Sequence, residues 1–371
     1  MTLGLIFTFG VSVEIWHRQG LLDREKLLYE KFLEYEKIKK IYWFTYGIND
    51  KIFSNLVKSG IEIITPPKIF KHKFGMFIYS FLMPFLQSKY FKEIDIIKTN
   101  QIKGSWTAWI VSLIYRKKFI LRAGYLWSLV VKRKYNALYS SVATIIEYLM
   151  CKLAHIVILT SKSQEKYIIK KYRLRKNKIF IISNYVDTEM FRPNPEIHKL
   201  ENRLVFVGRI NKEKNLKNLI LAMKGLPFGL DIYGDGVLKN ELEKIARKNA
   251  VDVNFNGFVS NAKLPEILQR YKYFILPSLY EGMPKALLEA MACEMVVIGT
   301  KVEGIQELIN HGENGWFIED FSVEGIRKRL LSLGKDKDIE KKMSLHARKY
   351  IEDNFSLSFI TERELNILKI C

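Results

Sequence analysis

Short apolar runs, each followed by a longer segment of helical spacing, recur along this chain in two series, and that alternation restricts the fold more than any other feature. Leu3 to Phe9 is a strand-like run ending at Gly10, and Leu21 to Tyr35 repeats its apolar residues with a helical period. Ile41 to Thr45, Ile61 to Thr65, Ile94 to Thr99 and Lys118 to Arg122 read as further strands. After a polar link, Arg192-Pro193-Asn194-Pro195, a second series begins: Leu204 to Val207, Gly229 to Tyr233, Val253 to Phe255, Tyr273 to Leu276 and Val296 to Gly299. Strands separated by helices imply right-handed crossovers and mostly parallel sheets. The expected class is therefore α/β, with two Rossmann-like domains, 1–190 and 191–355, facing a central cleft. A length of 371 residues is too great for one ordinary core and agrees with two.

Composition excludes several alternatives. With 48% hydrophobic and 27% charged residues, the chain is neither disordered nor an integral membrane bundle. Cys151, Cys293 and Cys371 have no metal-ligand spacing and form no paired framework, so a reducing cytoplasm is the expected compartment. The N-terminal stretch MTLGLIFTFGVSVEIW lacks a basic n-region and reads as a first strand rather than a signal peptide. No apolar run reaches the roughly 18 residues of a spanning helix.

Charge is unevenly divided. Residues 1–190 carry 32 Lys and Arg against 14 Asp and Glu, whereas residues 191–371 carry 28 against 25, so nearly all of the net +21 belongs to the first half. Within that half the first 50 residues are balanced, which puts the surplus between 51 and 190. Two apolar segments there have basic flanks: Phe74 to Leu86, after Lys71-His72-Lys73 and before Lys89, and Trp106 to Tyr115, followed by Arg116-Lys117-Lys118. Such segments suit peripheral contact with an anionic membrane surface. The competing reading is a pair of buried helices with solvated ends.

The most informative stretch for chemistry is PSLYEGMPKALLEAMACEMVVIGTKVEGIQELI, from Pro277 to Ile309. Glu281 lies in the loop that ends an apolar strand, and Pro284 opens an amphipathic helix carrying Glu289. Two carboxylates thus bracket a helix N-terminus, whose unpaired N–H groups and partial positive charge favour a phosphate. Carboxylates accept hydrogen bonds from hydroxyls, so the arrangement suits a nucleoside diphosphate joined to a sugar.

Glu281-Gly282-Met283-Pro284 with Glu289, followed by Val302-Glu303-Gly304-Ile305 and Glu307-Leu308, resembles the donor-site signature of glycosyltransferase family 4. Val207-Gly208-Arg209 with Lys214-Asn215-Leu216, then Tyr233-Gly234-Asp235-Gly236 and Phe255-Asn256-Gly257, resemble the same family in the same order. Five short motifs in order over residues 203–320 are more specific than any one alone. The resemblance implies the GT-B fold, with a last helix, in 356–371, that crosses back onto the N-terminal domain.

It also implies roles. Arg209 and Lys214 would contact the donor diphosphate and stabilise its growing charge, with Lys212 as the alternative to Lys214. Glu281, with Gly282 and Met283, would bind the donor sugar, and Glu289 the ribose. Pro284, Leu287, Gly208 and Gly257 belong to the same donor-binding set, and Gly10 in the first loop would let backbone approach the diphosphate. Glu281, Arg209 and Lys214 are the expected catalytic residues. Transfer would retain the anomeric configuration and require no metal or other cofactor, and no Asp-x-Asp motif is present.

The first half departs from the family pattern. A glycine pair is replaced by Phe9-Gly10-Val11-Ser12, and the usual histidine site by Arg122-Ala123-Gly124-Tyr125. His17, Arg122, Tyr125 and Glu147 are the acceptor-side candidates. Ser183-Asn184-Tyr185-Val186-Asp187 resembles an interdomain motif in which Tyr185 replaces a glycine. The expected partners are a nucleotide sugar, a glycan or lipid-linked acceptor, and an anionic membrane surface at the inner face; no nucleic acid is expected. A sugar-nucleotide epimerase of the same fold, and a basic nucleic-acid-binding protein suggested by the run Lys170 to Lys176, are the rival readings.

Overall fold

The computed structural model describes every residue but Glu36, Tyr135 and Cys371, and only the backbone of Arg133 and Lys134. Cys371, one of the three cysteines weighed above, thus lies outside the described residues. The chain forms two compact units, one of Met1–Ser183 with Thr361–Cys371 and the other of Asn184–Ile360.

The first unit begins with β1 (Thr2–Ile6), α1 (Val13–Arg18), α2 (Leu22–Phe32), β2 (Lys40–Phe44) and β3 (Ile61–Ile64). It continues with α3 (Lys73–Leu86), α4 (Ser88–Glu93), β4 (Ile96–Thr99), α5 (Ser105–Tyr115), β5 (Lys118–Ala123), α6 (Trp127–Lys134) and α7 (Ala137–Leu153). The last strands are β6 (Ile156–Leu159) and β7 (Ile179–Ile181), joined by α8 (Lys162–Tyr172). They form one parallel sheet in the order β3-β2-β1-β4-β5-β6-β7. Because both faces of such a sheet are covered, its central strands are nearly continuous apolar runs. Leu3, Leu5, Ile6, Ile97, Ile120 and Leu121 are accordingly fully buried. The chain order reverses direction at β3, so right-handed crossovers put α3, α5 and α7 together on one face.

The second unit contains β8 (Leu200–Val207), α9 (Leu216–Ala222), β9 (Gly229–Tyr233), α10 (Lys239–Lys248), β10 (Val253–Gly257), α11 (Leu264–Leu268) and β11 (Tyr271–Leu276). Then follow α12 (Lys285–Ala292), β12 (Val296–Thr300), α13 (Glu303–Gln306), β13 (Trp316–Ile318), α14 (Val323–Leu330) and α15 (Lys337–Phe355). Its sheet is also parallel, in the order β10-β9-β8-β11-β12-β13. The final helix, α16 (Leu357–Lys369), starts in the second unit and continues in the first. There Glu364, fully buried, pairs with the equally buried Lys98 of β4.

Two Rossmann-like parallel sheets are thus present, as the alternation of patterns predicts. The expected strands all appear, with ends shifted by a few residues: the first stops at Ile6 because Phe9 N–H turns away to the Lys103 carbonyl. β6, β7 and β13 are additions. Runs of three or four apolar residues carry too few positions for period alone to separate strand from helix. The segments Phe74–Leu86 and Trp106–Tyr115 are helices, yet α3 is not a buried one: Phe74, Phe77, Ile78, Phe81, Leu82, Phe85 and Leu86 are all exposed. Among the described residues no helix is long and apolar enough to cross a membrane.

Candidate active site

Ligands of open parallel sheets gather outside the carboxyl ends of the strands. In the second unit the singled-out motifs sit at such ends. Gly208 and Arg209 follow β8, Gly234 follows β9, Ser278 to Glu281 follow β11, and Val302 to Gly304 follow β12. Glycines let these loops close on one another. A Cβ on Gly234 would lie 1.9 Å from the Gly208 carbonyl oxygen, and one on Gly304 would lie 2.0 Å from that of Gly282. Either contact is impossible for a larger residue without moving backbone.

This packing brings Lys214 to Glu281. Lys214 ends a short 3-10 turn, Lys212–Lys214, and its Nζ donates to Glu281 Oε1, both side chains being mostly buried. Ser278 Oγ donates to the same carboxylate oxygen at 2.7 Å, and Leu279 N–H donates to the Glu213 carbonyl at 2.8 Å, which ties the two loops. Arg209 is exposed and its guanidinium makes no hydrogen bond or ion pair with any described residue. Lys212 is exposed as well. Between the two lysines weighed from sequence, Lys214 is the one in the carboxylate cluster.

Pro284 is the N-cap of α12, and no side chain caps that terminus. The first turn of α12 thus follows directly on the Glu281–Gly282–Met283 loop. Asn184 steadies the loop from below by donating from Nδ2 to the Met283 carbonyl at 2.9 Å. Tyr185 has no positive φ, so the glycine it replaces is not needed in this backbone. Glu289, on the second turn of α12, is 4% exposed and accepts from Asn261 Nδ2 at 3.3 Å. Leu287 is fully buried in the core of the unit, and its N–H is bonded to the Pro284 carbonyl, so its part is to seat the helix. Gly257 ends β10 with φ of +73° and open space where a Cβ would stand. Ser278, Asn184 and Asn261 were not singled out from sequence as site residues; short polar side chains at loop positions carry no periodic signal.

In the first unit the candidates are scattered. Gly10 has φ of +79° and open space beside it, but the N-terminus of the adjoining α1 is already filled. Ser12 Oγ accepts from Ile15 N–H, and the buried Asp50 carboxylate accepts from Val13 and Glu14 N–H. An anion there would meet a protein carboxylate instead of free donors. His17 is exposed on the last turn of α1 with its ring 5.2 Å from that of Phe53. Tyr125 is partly buried, and burial raises its hydroxyl pKa.

Arg122 and Glu147 stand where an acceptor role is hard to serve. Arg122 Nη1 lies 3.5 Å from Glu364 Oε2, beside Lys98, whose pKa burial lowers against the pull of Glu364. Glu147 is fully buried, and its carboxylate accepts from Ser128 N–H at 2.9 Å, Ser128 Oγ at 2.7 Å and the Tyr172 hydroxyl at 2.7 Å. It joins α6, α7 and α8, and no carboxylate oxygen is left unbonded to receive an acceptor hydroxyl.

The comparisons with known proteins agree with the motif order. A family model described as glycosyl transferases group 1 matches residues 187–350, and one described as Glycosyltransferase Family 4 matches residues 40–190. A capsular polysaccharide biosynthesis glycosyltransferase of Staphylococcus aureus is 26% identical over 58% of this chain and 62% of its own. A Campylobacter jejuni α-1,4-N-acetyl-D-galactosaminyltransferase, named for an undecaprenyl-diphosphate-linked substrate, is 28% identical over 45% of this chain and 48% of its own. The chain spans less than two thirds of the length of the curated relatives it matches first. The HepE protein of Anabaena, crystallised in complex with UDP, superposes with a TM-score of 0.78 over 100% of both chains at 16% identity, which establishes a shared fold. Two parallel-sheet Rossmann-like units of GT-B type, family models over both halves and the ordered donor motifs of the second unit together make this chain a member of glycosyltransferase family 4.

Proposed function

We propose that this protein transfers a sugar from a nucleoside-diphosphate donor to a glycan or lipid-linked acceptor in envelope polysaccharide or glycoconjugate synthesis. The observation that carries the reading is the Lys214–Glu281 pair in the loops at the strand ends of the second unit, with exposed Arg209 in the loop after β8 and α12 following directly on the Glu281 loop. The relatives named for capsule synthesis and for a polyprenyl-linked substrate support the acceptor class. Breaking the anomeric C–O bond leaves positive character on the sugar and gathers negative charge on the departing diphosphate. Fixed donors aimed at that charge lower the barrier because they need no reorganisation during the reaction. Arg209 offers a planar fork to phosphate oxygens. Lys214, held by Glu281 before the donor arrives, gains a second anionic partner when the diphosphate binds, and Glu281 turns its remaining oxygen to the sugar hydroxyls. Glu289, steadied by Asn261, takes the ribose hydroxyls.

Retention of anomeric configuration and independence of divalent metal complete the proposal. The two cations and the helix terminus supply the charge stabilisation that a metal provides elsewhere. Peripheral attachment to an anionic membrane on the reducing side agrees with the basic first half and with two unpaired, buried thiols, of which Cys293 is pushed by burial up to about 12.

The test is turnover of nucleotide sugars with chelator present, alongside thermal shift by the free diphosphates, on wild type and Arg209→Ala. Transfer that survives chelation with the product anomer retained supports the reading; loss of activity on chelation, or inversion, overturns its mechanism. Turnover of the donor's sugar without any acceptor would establish the epimerase alternative. Tight, sequence-selective and salt-dependent binding of oligonucleotides would favour the nucleic-acid one.

A further inference from the structure

The first unit carries an apolar surface that the donor chemistry does not use. The exposed apolar residues of α3 fall at 74, 77, 78, 81, 82, 85 and 86, which is one stripe of a helix, and four of them are phenylalanines. α5 packs beside α3 and adds exposed Leu113 and Ile114; α7 packs beside α5 and adds Leu138, Tyr139, Val142, Ile145, Leu149 and Leu153. The exposures are large: 75% for Phe74, 61% for Leu113 and 76% for Leu138. Aromatic packing extends the stripe inward, since Phe81 stacks on Trp106 with ring centroids 5.9 Å apart. Contiguous exposed apolar surface on this scale marks an interaction face.

Its rim is basic. Lys71, His72 and Lys73 are exposed at the start of α3, Lys89 just beyond its end, and Arg116 and Lys118 after α5. Neither α3 nor α5 holds an acidic residue, and the one acid of α7, Glu147, is buried and hydrogen-bonded. From 71 to 118 only Glu93 and Asp95 oppose nine Lys and Arg. An apolar stripe with aromatic rings, framed by cations on long stems, is complementary to acyl chains beneath anionic headgroups, whereas a protein partner would need no uniform positive collar.

We infer that the α3, α5 and α7 face of the first unit seats in an anionic bilayer, with α3 lying in the interfacial plane and its phenylalanines among the acyl chains. The contact is therefore hydrophobic insertion guided by charge, and it goes beyond the electrostatic attachment put forward above. It does not depend on the donor-site assignment, so vesicle binding and sugar transfer succeed or fail separately.

The experiment is flotation of the full chain with vesicles of phosphatidylcholine alone or mixed with phosphatidylglycerol, at low and high salt. Wild type is expected to float with the mixed vesicles, to keep a salt-resistant fraction, and to show Trp quenching by brominated acyl chains from Trp106 and Trp109 on α5. The triple variant F74S/F85S/L86S should lose at least tenfold in partitioning and all salt resistance, and Lys71→Glu with Lys73→Glu should abolish the preference for anionic vesicles. Circular dichroism checks that both variants are folded. If either does not fold, bromolipid quenching of wild type still decides the matter. Unchanged flotation of the folded triple variant, or no quenching in wild type, would overturn the inference. Dimers of wild type that the triple variant dissolves, without vesicle binding, would assign the face to a second copy of this chain.

Discussion

The two units share an architecture and use their polar residues in opposite ways. In the second, Lys214 and Glu281 come from different strand ends and meet at the surface end of the sheet, with exposed Arg209 close by in sequence. In the first, Arg122, Lys98 and Glu364 meet inside the unit, and Glu147 is enclosed by hydrogen bonds. On the surface of the first unit, α3, α5 and α7 instead present exposed apolar residues. Charges at loop positions are available to a ligand, whereas charges that spend all their bonding capacity within the protein hold elements together. Residue type and position in the chain do not distinguish these cases; partners do.

Substitutions that separate the two uses should differ in what they change. Arg209→Ala is expected to lower kcat/KM by about 10²–10³-fold, the usual loss of one fixed donor to developing charge, with the melting temperature unmoved because the side chain is exposed. Steady-state kinetics beside calorimetry checks both parts, and a large loss of stability would place Arg209 with the internal charges instead. Glu147→Ala is the counterpart. Leaving the Ser128 and Tyr172 donors unpaired should cost about 3 kcal/mol of folding stability, read by denaturant titration, with little change in acceptor KM for the folded enzyme. A raised acceptor KM at unchanged stability would return Glu147 to the acceptor site.

Smaller effects sharpen the contrast. Lys214→Met and Glu281→Gln should each reduce turnover about a hundredfold, and the double variant should lose less than the product of the two, since each residue is held in position by its contact with the other. Multiplicative losses would show two independent roles. Gly304→Ala forces the Gly282 carbonyl away and should raise donor KM about tenfold, because small misplacements of a binding loop are costly. A thermal shift by nucleoside diphosphate that survives this change would separate the loop from donor binding.

The smallest effect concerns acid stability of the second unit. Burial pushes Asp231 up, but hydrogen bonds from Arg203, Tyr271 and Asn254 outweigh it and hold the carboxyl below its ordinary value. A depressed carboxyl stabilises above its unfolded pKa of about 3.9 and loses that contribution as pH falls through the folded value. Asp231→Asn should therefore flatten the acid limb below about pH 4 and leave the neutral range merely lowered.

Much of the fold was legible because burial on both faces of a parallel sheet leaves mostly apolar runs, and ten short strand-like runs were readable along the chain. β7 and β13, three residues each, fell below what a period can resolve. The donor motifs were legible for another reason: loop glycines and the residues beside them are bound by close backbone approach, so Gly304 and Gly234 have to stand where they do. Single polar residues such as Ser278 and Asn184 have no such constraint on spacing, and their contacts came from the folded chain alone.

By itself the sequence determined two parallel α/β units, the family, and which loops of the second unit carry the donor motifs. Each of these is set by local periodicity or by short motifs whose order is preserved along the chain. Only the tertiary structure decided that Lys214 rather than Lys212 meets Glu281, that Glu147 and Arg122 are held inside, and that α3 presents its phenylalanines to the outside. Those outcomes depend on which distant segments pack against a side chain, and a segment's partners in space are not written in its own residues.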